Sequence, residues 1–513
     1  MSRASVSQLL NQLDQLKLQF DPGASVRCIP LLKKIKEQHL TDAAEFIRLH
    51  EILLFLCAYP QSPAIVSAAE KLLREFPARL AEAEAEEADL APLDHPEMSS
   101  IAGRSVIDTF SYYTVRWLMR RFGRQLAFYW DWFEDENRLA QTWPRFMPHL
   151  EEDAFVEANV PYRSWLKAAR TGESELSWLI NRFNTFPLTD AERAELYDSQ
   201  QLYVQWTPPY RATRTGMRLP AKLAGSRTYY HDQPLLARRD VAFADELEKP
   251  PPPLTKLSNR DGEAVLDLAR EASTVRYREL YGFTHGDPSR VFRADLGRGV
   301  ELFVSGLSPE KRLPLRAYHA ALIFKNRVPV GYFEGLSLFE RMESGFNLYY
   351  TFRDGETAWL YARTLNVMRH MLGVTTFSLD PYQIGFENEE GIQSGAFWFY
   401  RKLGFRPTDS RLLEMAESEE FKIKSRPSYR TSAKTLRKLA VSPMVFELKE
   451  DHVGDWDRFQ VRQIGITVQR IMSESFGGDA QRLRAAAVSF AEKHLGLNSR
   501  AFSKTQLKIF SDL

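Results

Sequence analysis

The spacing of apolar residues changes once along this 513-residue chain, and that change constrains the fold more than any other feature. From Val6 to about Tyr197, apolar residues recur every three or four positions, the period of helices with one buried face. After Asn259, short extended runs alternate with helical stretches. One hydrophobic core rarely organises so long a chain. We therefore expect a multidomain protein, with an all-α helical domain over 1–204 and a mixed α/β domain over 259–448.

The residues between and after these regions differ in composition. Residues 205–258 contain Pro208, Pro209 and the run Pro250 to Pro253, together with a local excess of basic residues: Arg211, Arg214, Arg218, Lys222, Arg227, Arg238 and Arg239. This composition predicts a Pro-rich basic linker with solvated charges. Because long loops without structure are uncommon, the alternative is that the segment packs over a flanking domain. Residues 449–513 are interpreted as a C-terminal helical segment.

Charge and cysteine content exclude several classes of protein. Lys and Arg total 68 against 67 Asp and Glu, so no overall field attracts phosphate backbones or anionic lipid. Nucleic acid and membranes are therefore not expected partners. Cys28 and Cys57 are too few for a disulfide framework and lack zinc-site spacing, which favours a reducing compartment. The longest apolar run, Ile52 to Ala58, is far shorter than a membrane span, and we expect a cytoplasmic protein.

One segment of the helical region allows two interpretations. Between Ile107 and Phe133, aromatic residues are interleaved with Arg116, Arg120, Arg121 and Arg124. Aromatic and arginine side chains together can stack single-stranded bases, which gives a hypothesis of RNA binding. The same mixture at helical spacing also packs a helix into a core with its guanidiniums toward water, and we favour this second interpretation.

The region after Asn259 begins with a helix and a β-hairpin. Residues Asp261 to Tyr281 have helical periodicity, and Val300 to Val304 form a short apolar run typical of a strand. Tyr318 to Phe324 and Val328 to Gly335 are extended runs on either side of a polar turn. Two such runs across a tight turn predict a hairpin.

A strand, a glycine turn and a helix follow the hairpin. The strand is predicted over Phe346–Thr351, and the helix from Glu356 to Leu372 ends at Gly373. A helix start of this kind leaves backbone N–H groups unpaired, which suits a phosphate or pyrophosphate. The alternative is that Gly355 serves the conformation of the turn alone.

The next unit carries the most specific motif of the chain. After a strand over Thr375–Leu379, Asn388 is expected to cap a helix that Gly404 ends. The last seven residues of this unit, Phe399-Tyr400-Arg401-Lys402-Leu403-Gly404-Phe405, resemble the signature of the GNAT superfamily of acyl-CoA-dependent N-acyltransferases. The hairpin Leu322–Tyr332 and the order of elements are also similar to that family. The resemblance covers roughly 259–448 and implies a GNAT-like domain with a mixed, mostly antiparallel sheet.

The resemblance implies a set of coenzyme A contacts. The strand before the glycine turn would offer its main chain to the pantetheine arm, and the turn would hold the pyrophosphate. Gln393 stands where the family commonly has an asparagine that touches the cofactor. The implied cofactor-binding residues are Leu348, Tyr349, Tyr350, Thr351, Arg353, Asp354, Gly355, Glu356, Thr357 and Gln393.

Tyr400 is the candidate acid in this comparison. Acyl transfer from a thioester to an amine needs a proton for the departing thiolate, and a phenol can supply it. Gln393 and Tyr400 are seven residues apart, so one continuous helix would bring both side chains to one face. The alternative for Tyr400 is a core aromatic beside Phe397 and Phe399.

A base and an acceptor cleft are predicted from the surrounding strands. Glu334 near the end of the hairpin and His319 on its first strand are the candidate bases; the alternatives are a solvated Glu and a structural His. Asp380, Tyr382 and Gln383 follow the C-terminal end of a strand, where ligands commonly bind. Turn formation by Asp380 and Pro381 is the alternative.

These observations lead to one expected function and one alternative. We expect an acyl-CoA-dependent N-acyltransferase that uses acetyl-CoA or another acyl-CoA as co-substrate, without a metal, on a small-molecule or peptide amine. The alternative is a catalytically degenerate GNAT-fold scaffold or acyl-CoA sensor whose helical domain binds a protein partner. Fold alone does not decide between them.

Overall fold

The computed structural model describes residues 5–21, 23–95, 98–146, 161–313, 315–459 and 461–512. The chain begins with four helices: α1 (Val6–Leu16), α2 (Ala24–Lys36), α3 (Ala43–Ala58) and α4 (Pro63–Ala85). Their starts follow from local chemistry. Ser5 forms a capping box with Gln8, and the Asp42 carboxylate accepts from the first-turn amides of α3.

A second packing unit follows and contains a small sheet. Its strands β1 (Val106–Asp108), β2 (Leu126–Phe128) and β3 (Val204–Trp206) pair antiparallel, with β3 in the centre. Its helices are α5 (Tyr112–Phe122), α6 (Asn137–Ala140), α7 (Tyr162–Ala169), α8 (Glu175–Thr185) and α9 (Asp190–Asp198). The prediction of an all-α domain over 1–204 is therefore wrong in this part. These strands are three residues long, too short to show alternation in the sequence.

The aromatic and arginine side chains of this unit pack its core. Trp117, Phe122 and Trp206 are buried together, while Arg121 pairs with Asp267 and Glu271 of the following domain at 2.5 and 2.8 Å. The aromatic segment thus packs into a core, as in the interpretation that we favoured. The Arg121 guanidinium joins this unit to the following domain.

The C-terminal half is built on a nine-stranded mixed sheet with the order β11-β12-β10-β9-β8-β7-β6-β5-β4. The strands are β4 (Leu254–Lys256), β5 (Gly286–Gly297), β6 (Val300–Leu307), β7 (Ala317–Lys325), β8 (Val328–Leu338), β9 (Arg341–Leu348), β10 (Thr376–Leu379), β11 (Arg406–Pro407) and β12 (Met444–Glu447). Among the described strands, β9 and β10 form the one parallel pair. The expected mixed, mostly antiparallel sheet is thus present.

Helices connect and cover these strands in the expected order. They are α10 (Phe243–Glu248), α11 (Asn259–Thr274), α12 (Tyr281–Thr284), α13 (Thr357–Leu372), α14 (Glu389–Gln393), α15 (Ala396–Arg401), α16 (Ser410–Ser425) and α17 (Ala433–Leu439). The hairpin β7–β8, strand β9, helix α13, strand β10 and helices α14 and α15 follow one another as predicted. Strand β9 ends at Leu348, three residues earlier than expected, because a 3₁₀ turn begins at Tyr350.

The first four helices share one hydrophobic core with the large sheet. Residues 205–258 complete that core, since Met217, Leu219, Leu223, Phe243 and Leu247 are buried in it. Of the two interpretations of this segment, the structure therefore supports packing over a domain instead of a solvated linker. Buried apolar side chains at wide spacing anchor a segment whose prolines prevent long helices.

The chain ends in helices α18 (Val461–Phe476), α19 (Ala480–Leu495) and α20 (Lys504–Asp512). Several of their apolar residues, including Ile466 and Phe490, are exposed. Within the described ranges, the chain has no helix that combines the length and the apolarity needed to cross a membrane.

Candidate functional site

The site lies where two strands of the large sheet separate. Strands β9 and β10 pair only from Arg341 to Glu343 on β9 and from Thr376 to Ser378 on β10. Strand β9 then continues to Leu348 along β8, whereas β10 remains paired with β12. The second half of β9 therefore borders a gap in the sheet.

Two adjacent cavities lie at this gap. The first, which we call the arginine cavity, has a volume of about 520 Å³ and is lined by Glu51, Leu54, Met98, Arg214, Arg276, Arg278, Asn347–Thr351, Arg353, Glu390, Gln393 and Ser394. The second, the tyrosine cavity, has a volume of about 300 Å³; beside residues of the first, its lining includes Phe346, Thr357, Gln383, Asn388, Phe399 and Tyr400. Asn347, Leu348, Arg353, Glu390 and Ser394 line both, so the two cavities are adjacent.

The cavities bring together nine residues that the sequence predicted as site residues. Six line the arginine cavity: Leu348, Tyr349, Tyr350, Thr351, Arg353 and Gln393. The tyrosine cavity adds Thr357, Gln383 and Tyr400. The other predicted residues line neither cavity: Glu334, His319, Asp354, Gly355, Glu356, Asp380 and Tyr382.

Tyr400 is a core aromatic residue that also lines a cavity. Its ring packs against Tyr361 and Phe405, with centroids 5.6 and 5.7 Å apart, and only 5% of the residue is exposed. It also lines the tyrosine cavity. Burial raises the pKa of its hydroxyl well above the ordinary value of 10.0, so the group is protonated at neutral pH and can donate a proton.

The helix that was expected to align Gln393 with Tyr400 is interrupted. Helix α14 ends at Gln393, and Gly395 adopts a left-handed conformation with φ of 69° before α15 begins. Gln393 therefore lines the arginine cavity and Tyr400 the tyrosine cavity. The expectation that one helix face carries both is wrong, because this glycine permits a backbone turn that other residues rarely adopt.

The glycine turn before α13 is closed by the first helical region. A Cβ atom on Gly355 would lie 2.3 Å from the hydroxyl oxygen of Tyr59, the residue that follows α3. Asp354 points away from the cavities and pairs with Lys17 at 3.3 Å. The predicted pyrophosphate cradle thus needs correction at these positions, since another part of the chain packs on the turn.

The Glu356 carboxylate is buried and forms ion pairs within the fold, and it lines neither cavity. Its carboxylate accepts from Arg298 and from Lys325, whose Nζ lies 3.4 Å away, and from the backbone N–H of Leu236 at 3.3 Å. These basic partners hold the pKa of Glu356 below 4.5 although burial acts in the opposite direction. The Glu356 carboxylate therefore neutralises positive charge of Arg298 and Lys325 that would otherwise attract an anionic ligand.

Arg353 is the member of the turn that remains at the cavities. Its guanidinium lines both and pairs with Glu390 of α14 at 2.5 Å. Thr357 also keeps its place, and its hydroxyl donates to the backbone oxygen of Arg353 at 3.1 Å. Arg353 and Thr357 therefore line the site although Gly355 and Glu356 between them do not.

Three arginines of the site were not predicted as site residues. Arg276 and Arg278 follow helix α11, and Arg214 comes from the segment interpreted as a linker. The Arg276 guanidinium lies 3.7 Å from the centre of the Tyr349 ring, and Arg278 donates to the Tyr332 hydroxyl at 2.9 Å. The basic excess of 205–258 was the available sequence signal for Arg214; nothing local distinguishes the other two.

The candidate bases lie on opposite faces of the sheet. Glu334 accepts a hydrogen bond from the Tyr318 hydroxyl, and burial raises the pKa of its carboxyl above 4.5. His319 is the cross-strand partner of Gly335 and therefore lies on the opposite face; burial lowers its pKa to about 4. Glu334 is therefore the candidate on the face that carries Tyr332.

Only one of the three predicted acceptor residues reaches a cavity. Gln383 lines the tyrosine cavity, while Tyr382 is 54% exposed at the surface. The Asp380 carboxylate accepts from the backbone N–H of Tyr382 at 2.9 Å, which is the turn-forming role.

Among the described residues, no group of three or more His, Cys, Asp or Glu side chains is arranged to hold a metal ion. Comparison of the chain with protein-family models, with curated proteins and with solved structures returned no match.

Proposed function

We propose that this protein transfers an acyl group from an acyl-CoA to an amine. The observation that carries the proposal is the gap between β9 and β10, where two adjacent cavities are lined by the end of β9, by Arg353 and by Tyr400. A thioester laid along Leu348–Thr351 would bring its reactive carbon into this gap. The resemblance of the Phe399–Phe405 segment to the GNAT signature supports the same assignment.

The chemistry assigns one step to each group. The amine nitrogen attacks the thioester carbonyl, the C–N bond forms, and the C–S bond breaks when the tetrahedral intermediate collapses. The departing thiolate takes the proton of Tyr400, because burial keeps this phenol protonated at neutral pH and the thiol product, with a pKa of about 8.5, is also mostly protonated there. Glu334 is the proposed acceptor of the amine proton. It lines neither cavity, but its carboxyl lies near enough to the cavity residue Arg278 to feel its charge, and burial raises its pKa above 4.5.

Calorimetric titration of the full chain with acetyl-CoA and with a longer acyl-CoA tests the binding part of this proposal. Release of free thiol in the presence of an amine panel tests the transfer. Tyr400→Phe should keep acyl-CoA binding and slow thiol release. Tyr382→Phe removes the same hydroxyl from an exposed residue that lines neither cavity and is the matched control. Absence of binding to both acyl-CoAs would refute the proposal.

A second candidate function is favoured by the closed glycine turn. Tyr59 and the Glu356 ion pairs fill the space that a pyrophosphate cradle would need. An acyl-CoA sensor or scaffold would bind the cofactor through the arginine cavity and catalyse nothing. Acyl-CoA binding without thiol release for any amine of the panel would favour this candidate.

A further inference from the structure

A third cavity lies between the unit with the small sheet and the large sheet. Helix α5 contributes Arg116 and Arg120 to its lining, and the segment after β6 contributes Lys311; we call it the α5 cavity. It shares no lining residue with the arginine cavity or the tyrosine cavity, so it is a separate site. Its volume of about 210 Å³ is below the roughly 300–1,000 Å³ of pockets for drug-sized ligands, which suits a small ion or one group of a larger ligand.

One cation in the lining of the α5 cavity is neutralised within the fold. The Arg270 guanidinium pairs with Glu263 and Asp267 at 3.0 and 3.2 Å, and it also donates to the backbone oxygen of Phe283 at 2.9 Å. Arg270 is therefore held by the fold. The remaining cations of the lining are Arg116, Arg120 and Lys311.

These three cations face one carboxylate among the described residues of the lining. This carboxylate belongs to Asp190, which pairs with Arg116 at 2.7 Å and lies near enough to Lys311 to interact with its charge. Arg120 forms no ion pair or hydrogen bond within the part of the chain that the structure describes. The three cations and Asp190 therefore sum to a charge of +2. A cleft whose charge has one sign concentrates ligands of the opposite sign.

The cations converge around the ring of Tyr113. Lys311 Nζ lies 4.7 Å from the centre of this ring and donates to its hydroxyl at 3.1 Å. The Arg116 guanidinium lies 5.5 Å from the same ring centre. Arg120 follows Arg116 by four residues on α5, so both side chains lie on one face of the helix. One small anion in the cavity could therefore interact with charges from α5 and from the segment after β6.

The rest of the lining adds neutral groups. Thr284 and Ser308 line the cavity, and their hydroxyls form no hydrogen bond with any described residue, which leaves them available to a ligand. Burial lowers the pKa of His285 to about 4, and the charge of Lys311 acts in the same direction. The His285 imidazole is thus neutral at pH 7 and leaves the charge of the lining at +2.

We propose that the α5 cavity binds a terminal phosphate group, either inorganic phosphate or the phosphate of a small phosphorylated molecule. Such a group has a charge of about −1.5 to −2 at pH 7 and three acceptor oxygens, so it matches the cations and hydroxyls of the lining. Arg120 would donate through its planar fork, and Lys311 would add a point charge. A carboxylate or a phosphodiester brings a single negative charge. The inference does not depend on the proposed acyl transfer, because the two sites are separate.

The test compares anions that differ in charge. Calorimetric titration of the full chain at pH 7.5 and constant ionic strength uses inorganic phosphate, glycerol 3-phosphate and dimethyl phosphate. We expect one of the first two to bind about 10-fold or more tightly than dimethyl phosphate, because the diester lacks one charge and the hydrogen bonds that this charge strengthens. The tighter of the first two identifies the ligand as the free ion or as a phosphorylated molecule.

Variants of Arg120 give a second readout. Arg120→Gln should weaken phosphate binding about 10-fold or more and leave the thermal unfolding midpoint unchanged, because Arg120 is exposed and has no described partner in the fold. Arg120→Lys should recover part of the loss, since it keeps the charge and loses the planar fork. Arg124→Gln removes the same charge from an exposed position outside the lining and is the matched control.

The other outcomes each overturn the inference. Absence of binding for both phosphates would do so, and so would an equal loss of binding in Arg120→Gln and Arg124→Gln, which would assign it to general surface charge. Tighter binding of dimethyl phosphate and of single-stranded RNA would reassign the cavity to a nucleic acid backbone. Displacement of bound acetyl-CoA by glycerol 3-phosphate would place the phosphate in the acyl-CoA site. Absence of acyl-CoA binding alone would refute the acyl transfer and leave this inference intact.

Discussion

The substitution Glu356→Gln separates a structural role of this residue from the cofactor role that the sequence implied. The carboxylate is 1% exposed and lies among Arg298, Lys325 and the Leu236 amide. Glutamine keeps a carbonyl oxygen for the amide but removes the negative charge. The Lys325 ammonium, whose side chain is 0% exposed, then has no counter-ion within the cluster.

The expected cost follows from this burial. Removing one partner of a buried ion pair costs about 3–5 kcal/mol, because the remaining charge is left uncompensated in a medium of low polarity. With an unfolding entropy of about 2.1 cal/mol/K per residue, this lowers the unfolding midpoint by roughly 3–5 °C if the whole chain unfolds as one unit. The double variant Glu356→Gln with Lys325→Met should recover most of the loss, since no lone charge remains.

Differential scanning calorimetry and acyl-CoA titration on the same samples check this reasoning. Glu389→Gln is the matched control, because Glu389 pairs with Arg437 at 2.9 Å in an exposed position where such pairs contribute about 0–1 kcal/mol. An unchanged midpoint together with lost acyl-CoA affinity would show that the Glu356 carboxylate faces a ligand, and the structural account would be refuted.

Three further outcomes are expected. Gly355→Ala should destabilise the fold by about 1–3 kcal/mol, because the new Cβ would clash with Tyr59. Gly465→Ala is the control, since no atom lies within 4 Å of its new Cβ. Equal thermal unfolding midpoints for the two variants would contradict the packing of Tyr59 on the turn. Tyr400→Phe should lower kcat at least about 100-fold with acyl-CoA affinity kept, as stopped-flow thiol release and calorimetry can measure, and unchanged turnover would remove Tyr400 as the acid. Burial lowers the pKa of Lys325 from 10.5 to about 8, so between these pH values the unfolded chain holds a proton that the folded chain has lost, and this group makes the free energy of unfolding rise with pH. Burial raises the pKa of Cys28 and Cys57, and these thiols act in the opposite direction in the native chain and in a variant alike. In urea unfolding at pH 8 and pH 10, the native chain should therefore gain free energy of unfolding relative to Lys325→Met, and equal changes in the two chains would contradict the assignment to Lys325.

Much of the sheet domain was predictable because its signals are local. The hairpin around Asn326, the helix that ends at Gly373 and the cap at Asn388 each depend on a few neighbouring residues with defined backbone preferences. The place of Tyr400 beside a cavity also followed from a short motif.

Contacts between distant parts of the chain decided the rest. Tyr59 closes the turn at Gly355, Glu356 meets Arg298 and Lys325, and Arg278 reaches the gap at the end of β9. Each of these contacts joins residues separated by tens to hundreds of positions, and no local pattern records which distant side chain will fill a given space. The helical periods, the strands and the glycine turns could be predicted from the order of residues along the chain. The packing of the helical region against the sheet decides which charged residues are buried and which line the cavities. The physical reason is that a buried charge must be neutralised within the fold, whereas a charge at a cavity keeps contact with solvent.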